Sequence, residues 1–153
     1  MRLESKGEVK PPPKLKGPAQ AVSREIQSWP GIIAATHWYI DDRTQVDGAD
    51  FYVGEKELGH IHLDGELHLV VTVGLRRRLI DAGLAEALPW AEDCIQAPID
   101  NQRDARKAVW LFRLAYDRLT GTPIPELRRR ISDAVARGRS PRTRSSHTES
   151  PAF

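Results

Sequence analysis

A single cysteine, Cys94, leaves this chain unable to close an internal disulfide and without a Cys-x-x-Cys pair for redox or metal chemistry. No apolar run approaches the roughly 20 residues that a membrane-spanning helix needs. The start, Met1 to Lys6, is polar and lacks the apolar stretch of a secretory signal. Together these absences point to a cytoplasmic protein. Also missing are a Gly-rich phosphate loop, a Ser-His-Asp order and a His-Glu-x-x-His pattern, which removes the common nucleotide, acyl-transfer and zinc-protease signatures.

What is present is enough for one domain: 153 residues, 40% of them apolar. The net charge of +2 conceals an asymmetry. Residues 1–24 carry six Lys/Arg against two acids, and residues 125–153 carry seven Arg against three acids. The middle, 25–124, holds ten bases and sixteen acids. An acidic middle repels phosphate backbones, so nucleic acid or an acidic partner falls to the basic ends. Residues 1–20, with Pro11-Pro12-Pro13 among lysines, are expected to be a disordered basic tail. Residues 122–153 are expected to be an Arg-rich, largely disordered tail, with a peripheral helix over 125–137.

Residues 21–121 read as a single compact α+β domain. Val22, Ile26 and Trp29 are spaced for a short helix that Pro30-Gly31 stops. Segments 32–40, 49–53, 57–63 and 67–71 read as strands, with 41–48 as a polar turn. A helix over 74–82, a fifth strand over 93–99 and a long helix over 100–119 follow, the last capped by Asp100 or Asn101. The expectation is an antiparallel sheet of four to five strands with helices mainly on one face. On the long helix Trp110 and Leu114 fall opposite the apolar stripe, so they are either covered by a second layer or form a protein-contact surface.

The chemistry concentrates in Glu57-Leu58-Gly59-His60-Ile61-His62, with His68 just beyond a turn. Residues i and i+2 of a strand share a face, so His60 and His62 do. A three-residue loop, Asp64-Gly65-Glu66, would pair Leu63 with Leu67 and Ile61 with Leu69, giving one coherent apolar face. That register sets His62 opposite His68 and His60 opposite Val70, with all three histidines on the other face. Glu57 has the wrong parity, and a bulge at Gly59 would bring it round to orient a histidine. His37 and Tyr39 in the first strand, His68, and Arg76 of the Arg76-Arg77-Arg78 run are further ligand-binding candidates. Cys94 reads as a buried strand thiol.

Several of these residues carry a resemblance. Trp29-Pro30-Gly31, Phe51-Tyr52-Val53-Gly54, Glu57-Leu58-Gly59-His60-Ile61-His62 and the helix from Ala108 to Arg118 resemble the small luciferase domain family over about residues 21–120. That family includes the fungal luciferase and many bacterial proteins. The resemblance implies a small-molecule site, oxygen chemistry on a phenolic substrate, and no known metal. Where members carry a further histidine pair, Leu88 to Ile95 has none. The element order also looks like the MmcQ/YjbR double-wing family, by architecture alone. Gly54-x5-His60-x-His62-x3-Glu66 mimics a first cupin motif, without a second motif to complete it.

The leading reading is a small-molecule-binding domain with a cofactor-independent oxygenase or proton-transfer site, its catalytic candidates being His60, His62 and Glu57. No cofactor is expected. If a divalent metal binds, the ligands would be His60, His62 and His68. The alternative is a non-enzymatic protein- or nucleic-acid-interaction module using the basic tails.

Overall fold

The computed structural model describes residues 2–139. After a 3₁₀ turn at Leu3–Lys6, the elements are α1 (Pro18–Gln27), β1 (Ile32–Trp38), β2 (Val46–Val53), β3 (Lys56–His62), β4 (Glu66–Val70), α2 (Val73–Asp81), β5 (Glu86–Ala87), β6 (Cys94–Pro98), α3 (Gln102–Leu119) and α4 (Ile124–Arg139). The strands form one antiparallel sheet in the order β1-β2-β3-β4-β6-β5. Helices α1 and α3 pack together on one face. Their apolar sides meet Phe51, Leu58, Ile61, Leu67, Leu69 and Ile95 from the sheet, all fully buried. Pro18 starts α1, where its missing N–H leaves nothing unpaired. Asn101, not Asp100, caps α3, its Oδ1 accepting from the Asp104 amide at 2.9 Å. No helix among the described residues is long and apolar enough to cross a membrane.

Four expectations change. The sheet has six strands, because Glu86–Ala87 adds a two-residue edge strand too short to show alternation. The hairpin register lies two residues from the expected one: Gly59 pairs with Leu69, His60 with His68 and Ile61 with Leu67. A three-residue loop is kept, but it is Leu63-Asp64-Gly65, closed by the Gly65 amide on the His62 carbonyl at 2.9 Å. A shift of two preserves parity, so the apolar face stays coherent while His60 moves from opposite Val70 to opposite His68. The expected polar turn over 41–48 is shorter, since β2 already begins at Val46.

The fourth change concerns the ends. Residues 2–20 lie on the domain. Thr36 donates its amide to the Lys10 carbonyl at 2.8 Å and its hydroxyl to the Pro11 carbonyl at 2.7 Å, and Trp38 Nε1 donates to the Glu8 carbonyl at 2.8 Å. This segment covers β1, an edge strand that would otherwise offer unpaired backbone groups. Leu15 is buried in the core. At the other end α4 docks through Leu127, Ile131 and Ala134, all core residues, and Arg130 pairs with Asp117 of α3. Residues 140–153, where most of the expected C-terminal disorder falls, lie outside the described residues. Leu114 is likewise part of the core and Trp110 packs against it, so they form no open contact surface.

An integral α4 predicts a measurable cost for its loss. Leu127→Ala should lower unfolding stability by about 2–5 kcal/mol in a urea melt. A change below about 0.5 kcal/mol, as at a surface position, would mean α4 is peripheral after all.

Candidate functional site

Opposite the helical layer, the sheet builds a row of polar side chains out of its register alone. Ala35 pairs with Asp50, Asp50 with His60, His60 with His68, and His68 with Gln96. The neighbouring row runs from His37 through Gly48 to His62. Gly48 allows this closeness: a Cβ there would stand 2.0 Å from the Ile61 carbonyl oxygen. The result gathers four of the five histidines into one cluster. His37 stacks on His60 at 3.8 Å between ring centroids and 11° between planes, and His62 sits edge-on to both His60 and His68.

Two bulges deliver the carboxylates. Between β1 and β2, His37 pairs with Gly48 and Trp38 with Val46, so Asp47 is the extra residue. Between β2 and β3, Phe51 pairs with Gly59 and Tyr52 with Glu57, so Leu58 is the extra residue. An extra residue reverses side-chain parity locally. Asp47 and Glu57 therefore reach the histidine face that alternation denies them. Asp47 Oδ2 lies 2.9 Å from His62 Nδ1 and 3.6 Å from His37 Nε2. Glu57 Oε1 lies 3.4 Å from His60 Nδ1. Glu66, the first residue of β4, lies 2.9 Å from His68 Nε2.

A carboxylate only accepts, so each of these ring nitrogens carries the hydrogen and donates it. The opposite nitrogens lie close to one another. His68 Nδ1 is 3.3 Å from His60 Nε2 and 3.2 Å from His62 Nε2.

Lys6 completes the electrostatics. From the N-terminal turn its Nζ reaches Asp50 at 2.9 Å and Glu57 at 2.6 Å. Asp50 is fully buried, and its Oδ1 has no hydrogen-bond partner, nor has His37 Nδ1, 3.5 Å from Asp50 Oδ2. Burial alone would lower the Lys6 ammonium, but the two carboxylates raise it above its ordinary value. Burial alone would raise the Glu57 carboxyl, but His60 and Lys6 bring it down to about 2. Burial pushes His60 down to about 3 against the pull of Glu57, with His37 and His62 adding repulsion. His62 is also lowered, chiefly by burial, with Asp47 opposing.

Above this floor lies a cleft of about 620 Å³, within the range of pockets that hold small molecules. Tyr39, Ile40 and Trp90 stand exposed at its rim, and Arg43 also lines it. Five acids, Asp47, Asp50, Glu57, Asp64 and Glu66, stand in or under it against Lys6 and Arg43. The acids outnumber the cations here, so the cleft favours neutral or cationic occupants.

Of the sequence candidates, His60, His62, His68, Glu57, His37 and Tyr39 meet at this cleft. Arg76 does not: its Nε donates to the Cys94 carbonyl at 3.0 Å, fastening α2 to β6. The Cys94 thiol is pushed up to about 12 by burial and the adjacent Asp93, which leaves it unreactive. Lys6, Asp47, Asp50 and Trp90 escape a sequence reading. Asp47 and Asp50 flank Gly48, a weak hint of a bulged strand, whereas Lys6 carries no local signal.

Residues 55–115 match the luciferase domain family. The luciferase-domain match holds His60, His62, His68, Glu57, Glu66 and Trp90, whereas Lys6, His37, Asp47 and Asp50 precede it. No curated protein and no solved structure gives a significant match to the chain.

Two tests follow from the charges. Lys6→Met leaves Asp50 and Glu57 as uncompensated buried charges and should cost about 3–5 kcal/mol in chemical unfolding; an unchanged midpoint would show that the lysine is not needed. The second test is pH. Unfolded histidine binds a proton near 6.5 and unfolded glutamate near 4.5, whereas folded His60 and Glu57 wait until about 3 and about 2. The unfolded chain thus binds more protons, and stability is lost as pH falls from 6.5 towards 3. Thermal melts should show a falling Tm across this window and a flatter upper limb in His60→Gln. A Tm independent of pH there would contradict the assignment.

Proposed function

We propose that the cleft binds a small, neutral, planar molecule bearing a hydroxyl group, and that the imidazole floor takes up the hydroxyl proton. The observation that carries this reading is that His68 Nδ1 lies 3.3 Å from His60 Nε2 and 3.2 Å from His62 Nε2, ring nitrogens turned away from their carboxylates, at the base of an aromatic-rimmed cleft. A hydroxyl is the donor such a floor lacks. His62 and His68 are the best-placed pair, because each is backed by its own carboxylate at 2.9 Å. One proton between their facing nitrogens, 3.2 Å apart, makes an N–H···N bond and spreads its charge towards Asp47 and Glu66. Glu57 is less free to help His60, being held by Lys6.

The rim suits the apolar body of such a ligand. Tyr39 and Trp90 offer planar faces on which an aromatic ring stacks. The oxygen chemistry that the luciferase resemblance implies fits the same step, since deprotonation turns a phenol into the electron-rich anion that oxygen attacks. Proton uptake at a positioned base contributes about 10²–10⁴-fold to a rate.

The probe is 4-nitrophenol, whose anion absorbs where the neutral form does not. Chelator-treated protein added below the phenol's own pKa should produce the phenolate band with saturation. His62→Ala or His68→Ala should weaken that band at least tenfold, and Trp90→Ala should weaken binding. Saturable binding without the phenolate band, or no binding, would overturn the reading.

A further inference from the structure

Two arginine runs far apart in sequence, Arg76-Arg77-Arg78 in α2 and Arg128-Arg129-Arg130 in α4, are brought together by the packing of α4 on α2. We infer that the face they build binds the phosphate backbone of double-stranded nucleic acid, with Arg77, Arg78 and Arg128 as its contacts. This face shares no residue with the histidine cleft, so the two sites are separable by mutation.

Each run divides its labour. One arginine anchors its helix: Arg76 Nε donates to the Cys94 carbonyl at 3.0 Å, and Arg130 pairs with Asp117 and Glu126. The others, Arg77, Arg78, Arg128 and Arg129, are exposed. Among the described residues, Arg77 alone of these four pairs with a carboxylate, Asp81 at 3.9 Å, and both side chains stand largely in solvent. An exposed pair of that kind contributes little, so it leaves the guanidinium available.

Between the two helices runs a groove of about 660 Å³. Gly74, Arg77 and Asp81 line it from α2, and Arg128, Ile131 and Val135 line it from α4, with Arg78 beside them. Three guanidiniums thus meet one carboxylate, whereas the histidine cleft sets five acids against two cations. The whole of α2 and α4 carries eight arginines against Asp81, Glu126 and Asp133. A surface of this sign steers a polyanion towards it.

The chemistry of the groove selects the partner. Guanidinium matches phosphate oxygens in a two-pronged fork. Among the described residues no aromatic side chain lines the groove, so it offers no platform on which unpaired bases stack. That favours a duplex, whose bases are already stacked, over a single strand, and backbone contact without base readout. Arg129 and Arg137 are exposed on α4 outside the groove, which extends the cationic surface beyond the reach of a small anion.

A fluorescein-labelled DNA duplex of random sequence is the probe, with anisotropy read on the full-length protein across a salt series. Log Kobs should fall against log salt with a slope of about −3, roughly 0.9 for each of three phosphates. Arg78→Gln and Arg128→Gln should each make the slope shallower by about 1. The double variant should bind roughly tenfold more weakly or worse, with the parent's circular dichroism. Exchanging Arg142 and Arg144 for Gln, outside the described residues, should leave the slope unchanged. Absence of duplex binding at low salt would overturn the inference. So would a slope unmoved by Arg78→Gln and Arg128→Gln, or binding lost only when Arg142 and Arg144 are exchanged. A single strand or a polyglutamate of equal charge that binds as tightly as the duplex would also overturn it.

Discussion

Everything at the functional end of this molecule hangs on the two-residue period of a sheet whose other face is closed by helices. Phe51, Ile61, Leu67 and Leu69 must point into the core. With those positions committed, Asp50, His60, His62 and His68 have only the opposite face to occupy. A one-residue slip would bury the imidazoles and expose the leucines, so packing energy on one side holds the register that aligns chemistry on the other.

The alternation would also separate each histidine from its carboxylate. Two local irregularities undo that. The extra residues Asp47 in β2 and Leu58 in β3 reverse parity over a single step and swing Asp47 and Glu57 beneath the rings. The bulges therefore bias the tautomers of His62 and His60, because a ring nitrogen facing a carboxylate donates a hydrogen to it. Strand pairing, through this chain of consequences, sets which ring nitrogens face carboxylates at the floor of the cleft.

Buried negative charge needs an answer, and it comes from far away in sequence. Lys6 crosses from the N-terminal turn to Asp50 and Glu57, 44 and 51 residues on. The same segment covers edge strand β1. One stretch of chain thereby protects a sheet edge and neutralises the carboxylates next to His60. The luciferase-domain match begins after this segment, so part of the site's electrostatic support stands outside the matched stretch.

By itself the sequence determined the α+β class, the position of the central strands and α3, and the shared face of His60, His62 and His68. Those follow from local periodicity, which sequence carries directly. A bulge at Gly59 was one way to bring Glu57 to the histidine face, and the structure has its extra residue next door, at Leu58. The exact hairpin offset was undetermined, because offsets differing by two residues leave the same apolar face. The expected helix over 125–137 corresponds to α4, but its docking and that of residues 2–20 were not legible, because proline, lysine and arginine content describes solubility, whereas Leu15, Leu127 and Ile131 find cover only once the domain exists. Only the tertiary structure brought His37, Asp47, Asp50 and Lys6 to the cluster, and only it set His68 Nδ1 within 3.3 Å of His60 Nε2 and His62 Nε2. Proximity of that kind depends on which strands are neighbours and on distances of a few tenths of an ångström, which no spacing along a chain encodes.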